Sequence, residues 1–259
     1  MIYDYSCSIN KTDTYVYVSC SNFNENIKLL EKRFSFKFPK GLKEYFSGEK
    51  NKIKTFLIDK KKFIIAKVNE KKCSKDNLDK SIQKICNIIK NEKKIVNVNI
   101  ILAPIKNFIR YQVLKVIHHS YLFAKYKKSN TTTKKITFCA DGEFKKIVNN
   151  AIKEGKLIND MRDMVNEPAN NMNSQYFLDY VKTFKEKGLK LEVMKKNKLK
   201  KEKFNLILAV NRGSANEPFM LTLKWLPLKN KKPIVLLGKG VTFDAGGMNL
   251  KKWDFSDMK

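Results

Sequence analysis

Two lysines and an aspartate stand among glycines near one end of the sequence. Lys239 lies in "LLGKGVTFDAGG", Asp244 follows five positions on, and Lys251 comes seven after that. The apolar run Ile234 to Leu237 reads as a strand buried on both sides in a parallel or mixed α/β sheet. Ligands in open α/β sheets bind beyond the carboxyl ends of the strands. Lys239 is therefore expected where sites form, and the glycines permit tight backbone turns beside it. A carboxylate such as Asp244 can bridge or bind divalent metals. A lysine amine ligates a metal only when deprotonated, which takes desolvation or the metal's own field. A lysine that stays charged can stabilise a developing oxyanion. Spacing alone thus allows a cation site or an anion-stabilising site. A glycine loop with an ordinary Lys–Asp surface pair accounts for the same residues about equally well.

Two other glycine-loop chemistries are excluded. A phosphate loop needs four residues between its first glycine and a Gly-Lys-Ser/Thr that opens a helix. Here Gly240 follows Lys239. A dinucleotide fingerprint needs Gly-x-Gly-x-x-Gly, and Phe243 stands where the third glycine belongs.

The elements ahead of this loop read as follows. "TYVYVSC" and "RFSFKF" have strand-like β-branched and aromatic runs. "KTFLIDKKKFIIAKV" reads as two strands joined by a charged turn at Asp59 to Lys62. Ile82, Ile85, Ile88 and Ile89 repeat at helical spacing within a helix over 79–89, with Asp79 in its first turn. "KIVNVNIILAP" is a buried strand ended by Pro104. Phe108 to Tyr126 is a helix and "KITFCA" another strand. "KKSNTTTKK" is an exposed loop. A helix starting near Glu143 runs to Pro168. Ser174 caps a further helix reaching about Lys187, which Gly188 stops. "LKLEV" and "FMLTLKWLP" are strands. "FNLILAV" is apolar, and either finishes a helix or starts a strand.

Composition limits the function classes. With 259 residues, 42% of them hydrophobic, the chain can bury one large core or two modest ones. Its 54 Lys+Arg against 25 Asp+Glu give a net charge of +29, which attracts polyanions non-specifically. The lysines are spread along the whole chain, so compositional bias explains them better than a dedicated nucleic-acid face. Cys7, Cys20, Cys73, Cys86 and Cys139 lie far apart, which speaks against a disulfide framework. No segment approaches the ~18 apolar residues of a membrane helix, and the first residues carry no leader-like pattern. A cytoplasmic protein with no membrane contact is expected. His118 and His119 are adjacent on a helix and point to different faces, so they are not expected to share a metal. Trp225 is expected in the core, and Cys139 as a strand residue without nucleophilic duty.

At this point "GKGVTFDAGGMNLK" resembles the signature of the leucine aminopeptidase (cytosol aminopeptidase) family of two-metal exopeptidases. Two more segments agree in order: "RDMVNEPANNMNSQYF" and "LAVNRGSANEPFMLTLKW". The resemblance covers about Glu143 to Lys251; ahead of it the likeness is one of layout. It implies an α/β fold: an N-terminal α/β domain over 1–142, then an incomplete metallo-exopeptidase catalytic domain over 143–259 with a central mixed sheet. It implies hydrolysis of the N-terminal residue, leucine above all, from peptides. Two divalent metal ions (Zn, Mn or Mg) would serve, with Lys239 ligating one and Asp244 bridging both. Lys251 would stay cationic and polarise the scissile carbonyl. A homo-hexamer is implied for the full-length enzyme.

Ala245 departs from the usual serine and Asn211 from a common glycine. "KWDFSDMK" departs from the usual linker, and Asp254 and Asp257 match nothing in the family pattern. The next metal-binding aspartate, and a later Asp-x-Glu-x-Arg segment, would fall past Lys259. The chain is therefore expected to be a fragment lacking several metal ligands. The alternative is an inactive family member, acting through weak nucleic-acid binding or as an oligomer partner.

Overall fold

Strands with strong apolar character must have both faces covered, and the strand Thr14–Ser19 shows how this chain does it. The computed structural model describes residues 1–6, 14–19, 23–34, 37–48, 50–58, 60–68, 74–92, 97–102, 106–127, 133–184, 188–228, 231–246 and 251. By contacts the chain divides into two units, Met1–Asp163 and Met164–Lys259.

The first unit runs β1 (Ile2–Ser6), β2 (Thr14–Ser19), α1 (Phe23–Phe34), α2 (Leu42–Tyr45), β3 (Lys52–Ile58), β4 (Lys61–Lys67), α3 (Lys75–Asn91), β5 (Asn97–Ile101), α4 (Lys106–Ser120) and β6 (Lys135–Cys139). A single 3-10 turn, Gly142–Phe144, then leads into α5 (Lys145–Asn166). The sheet order is β1-β6-β5-β2-β4-β3. All neighbours are parallel except the β3–β4 hairpin. Its turn residue Lys60 adopts φ 64°.

Every residue of β2 is buried, because side chains alternate between two covered faces. Val16 and Val18 join Ile64, Val98, Ile100, Ile136 and Phe138 on one face. Leu78, Ile82, Ile85 and Ile89 of α3 cover it, with Ile109, Val113 and Ile117 of α4 and Val148 and Ile152 of α5. Tyr15 and Tyr17 join Phe63, Ile65 and Ile101 on the other face, under Phe23, Ile27 and Leu30 of α1. The result is a three-layer α/β/α unit.

The second unit holds α6 (Ser174–Lys182), β7 (Leu189–Met194), α7 (Lys196–Lys201), α8 (Asn205–Asn211) and β8 (Met220–Trp225). β7 and β8 pair antiparallel, from Leu189 opposite Trp225 to Met194 opposite Met220. The α/β class holds. Among the described residues the second unit's sheet has these two strands alone.

Several expectations change. Helix α3 starts earlier than 79, because Ser74 caps it by accepting from the Asn77 N–H, and Asp76 supplies the first-turn charge. Helix α4 stops at Ser120, not Tyr126. Phe34 finishes α1 and Phe38 packs outside any strand, so the described part of "RFSFKF" is not a strand; residues 35 and 36 lie outside the described residues. Asn173, one position before Ser174, caps α6 by accepting from the Tyr176 N–H, and the helix ends at Lys182. "FNLILAV" resolves into α8. Trp225 is 63% exposed, at the end of a strand paired on one side.

The largest change is at Ile234 to Leu237. No strand forms there, and these side chains are 81–94% exposed. A strand buried on both sides needs neighbours to pair its backbone. Among the described residues no strand pairs with it.

By contacts α5 belongs with the first unit up to Asp163. The expected domain boundary at 142/143 falls ahead of α5, whereas contacts divide the chain at 163/164. Among the described residues no helix is long and apolar enough to cross a membrane.

Candidate functional site

The chain leaves the exposed apolar run at Gly238 and carries Lys239 into solvent. It turns at Gly246, whose φ of 73° suits glycine. This turn folds the backbone back on Asp244. The Asp244 Oδ1 accepts a hydrogen bond from the Gly246 N–H at 2.9 Å. The Lys251 N–H donates to the Ala245 carbonyl at 3.1 Å, which returns the chain to the same place. The Lys251 Nζ then lies 2.9 Å from the same Asp244 Oδ1.

The structure thus brings Asp244 and Lys251 together. Side-chain exposures of 36% and 31% leave the pair within reach of water. The Lys251 ammonium, and after it the Gly246 N–H, hold the Asp244 carboxyl below its ordinary value. Lys239 adds a smaller push in the same direction through its charge.

Lys239 and Asp244 offer one amine and one carboxylate. A metal ion in a protein takes about four or more donors. Among the described residues no group of three or more His, Cys, Asp or Glu is arranged to hold one. Asp244 is also engaged by an ammonium. These residues do not by themselves make up a two-metal centre. Asp254 and Asp257 lie outside the described residues.

Other titratable groups cluster in the first unit. Asp79 Oδ1 stands 2.6 Å from His119 Nε2, and Asp79 Oδ2 accepts from Lys115 Nζ at 2.9 Å. The His118 and His119 rings were expected to face apart; they meet edge to face at 5.0 Å. Cys139 is a buried strand residue, and burial pushes the Cys86 thiol up to about 12. The sequence reading passed over the Asp79 cluster. Its signal was the i, i+4 spacing of Lys115 and His119, visible only once an opposing helix is known.

Comparison with known proteins bears on the glycine loop. Residues 159–259 match the family model described as "Cytosol aminopeptidase family, catalytic domain". A probable cytosol aminopeptidase of Persephonella marina is 35% identical over 147 residues, 54% of this chain and 30% of that protein. The cytosol aminopeptidase of Haemophilus influenzae is 37% identical over 162 residues, 58% of this chain and 33% of its own length. The chain spans about a third of the length of these curated relatives. A solved structure of a mutant tomato leucine aminopeptidase superposes with a TM-score of 0.64 at 14% identity, over 90% of this chain and 52% of that one. At that identity the likeness is one of fold.

Proposed function

Because the chain belongs to the cytosol aminopeptidase family, a family of metallo-aminopeptidases, through part of the catalytic domain, we propose that its glycine loop serves a leucyl aminopeptidase centre. The reaction is addition of water across the first peptide bond, releasing the N-terminal amino acid and the shortened peptide. Peptides with an apolar first residue are the proposed substrates. The observation that carries this reading is the match of residues 159–259, which include Lys239, Asp244 and Lys251, to the family's catalytic-domain model.

In this reading Lys239 and Asp244 are metal donors, and Lys251 is the cation beside the scissile carbonyl. The full donor set needs carboxylates beyond those described, so no chemical step is assigned here to the metals. Zinc, manganese and magnesium are the candidates. Lys251 carries a role of its own. Its ammonium is paired with Asp244, and a lysine side chain can swing to a new anion without moving the backbone. A cation that meets a developing oxyanion stabilises it. Hexamer assembly and a cytoplasmic location are proposed on the family resemblance alone.

The test is hydrolysis of a leucyl peptide by the natural gene product, with each metal added in turn and then removed by a chelator. Activity that follows the metal supports the reading. Failure with all three metals removes it.

A further inference from the structure

The first unit holds a cavity to which the glycine loop contributes no residue. It has a volume of about 510 Å³ and opens at the carboxyl ends of β2, β5 and β6. Its floor is set by register: Tyr17 pairs with Ile101, and Ile101 with Cys139. Leu30 and Lys32 of α1 line one side, and Asp141 and Phe144 the other.

The topology explains the opening. After β2 the chain crosses to α1 on one face of the sheet; after β5 and β6 it continues into α4 and α5, which cover the opposite face. Connections that part in this way leave a crevice at the strand ends, where α/β folds bind ligands. The volume falls within the roughly 300–1,000 Å³ typical of small-molecule sites.

The lining restricts the ligand. The floor and Leu30 are apolar and buried, apart from the Tyr17 hydroxyl. Lys32 and Asp141 are exposed, and among the described residues neither side chain makes an ion pair or hydrogen bond. Asp141 stands at the start of the turn into α5 without capping it. A multiply charged anion would meet the Asp141 carboxylate. An uncharged apolar ligand would leave both charges to water and draw nothing from them. A molecule with one charge of each sign, separated by an apolar body, can pair with Lys32 and Asp141 and cover the apolar floor beside Asn26. The two charges sit on different elements, and the volume exceeds that of one amino acid.

We propose that this cavity binds a short apolar peptide, a di- or tripeptide, with its free α-ammonium at Asp141, its carboxylate at Lys32 and its side chains over Leu30 and Ile101. The proposal does not depend on hydrolysis at the glycine loop. Such a site would let the protein sense the peptide pool that an aminopeptidase consumes.

The test is calorimetric titration of the whole chain with Leu-Leu in the presence of a chelator, so that no peptide is consumed. The control ligand is N-acetyl-Leu-Leu amide, which has the same body and no charges. One Leu-Leu is expected per chain. Affinity should fall severalfold for Asp141→Asn and for Lys32→Met, as befits exposed charges, and further for the control ligand, which lacks both charges. Both substitutions are at exposed positions and should leave the circular dichroism spectrum unchanged. No binding of Leu-Leu up to about 10 mM overturns the proposal. So does binding that ignores both substitutions. Binding lost on Asp244→Asn but kept in Asp141→Asn would place the peptide at the glycine loop, ending this proposal while leaving the proposed function standing.

Discussion

The Lys251 ammonium and the Gly246 N–H meet on one oxygen of Asp244, each at 2.9 Å. The first is held there by a backbone bond from Lys251 to Ala245 and the second by a left-handed glycine. The carboxylate is thereby oriented by groups from both ends of a short loop. A lysine–aspartate surface pair and a metal-ligating aspartate are alternatives at the level of sequence. In this structure the pair is formed, and a metal ion reaching that oxygen would have to displace Lys251.

Gly155 of α5 faces Ile117 of α4. A Cβ there would stand 2.7 Å from Ile117 Cδ1 and 2.9 Å from its Cγ2, and Ile117 is buried. Alanine favours a helix over glycine by about 1 kcal/mol, but overpacking costs about 1–3 kcal/mol. Gly155→Ala is expected to lower stability in denaturant titrations. Ile117→Val in the same chain should recover part of the loss, since it removes the atom in closest contact. An unchanged or raised midpoint for Gly155→Ala would show that α4 and α5 are not packed this tightly.

The start of α6 rests on Asn173, whose side chain accepts from the Tyr176 N–H at 3.0 Å. Asn173→Ala should cost about 1 kcal/mol. Ser174 has a different task, because its hydroxyl donates to the Glu217 carbonyl at 2.5 Å. Hydrogen exchange of the first turn of α6 separates the two. Faster exchange at Tyr176 is expected for Asn173→Ala and not for Ser174→Ala.

Asp79 gives a pH dependence. Burial raises its pKa, but hydrogen bonds from Lys115 and His119 outweigh burial and leave it lowered. Lys115 shifts up, chiefly through its bond to Asp79, so the two partners agree in direction. A carboxyl with a depressed folded pKa adds stability above its unfolded value, and loses it as pH falls through the folded value. Asp79→Asn should therefore be less stable near neutral pH, by no more than about 1 kcal/mol for so accessible a group. The gap should close in acid. A gap that widened as pH fell would reverse the sign assigned here.

Much of the first unit was legible in the sequence because its signals are local. The β-branched and aromatic runs "TYVYVS" and "FIIA", and the three- and four-residue spacing of Ile82, Ile85 and Ile89, give strand and helix directly. Helix ends were less legible. Ser74 starts α3 ahead of Asp79, which was expected in the first turn, and Asn173 caps α6 where Ser174 was expected, since several polar residues can serve and only the backbone path decides. Ile234 to Leu237 shows the opposite limit. Its residues favour a strand, but a strand is a paired object, and pairing is not encoded within the run. In the glycine loop the residue types were legible from the motif. The 2.9 Å contact between Lys251 and Asp244 was not, because it depends on the turn at Gly246. The cavity between α1 and the strand ends left no motif at all, being made of residues distant in sequence.

The central claim is that Asp244 and Lys251 belong to an aminopeptidase centre rather than to a surface ion pair. The most direct measurement is kcat/KM for a leucyl peptide, comparing the natural gene product with Asp244→Asn and Lys251→Ala at saturating manganese or zinc. The account predicts metal-dependent hydrolysis that falls by about a hundredfold or more in each variant, as expected when a group acting on the transition state is removed. Equal rates in all three proteins, or no hydrolysis with any metal, would contradict it.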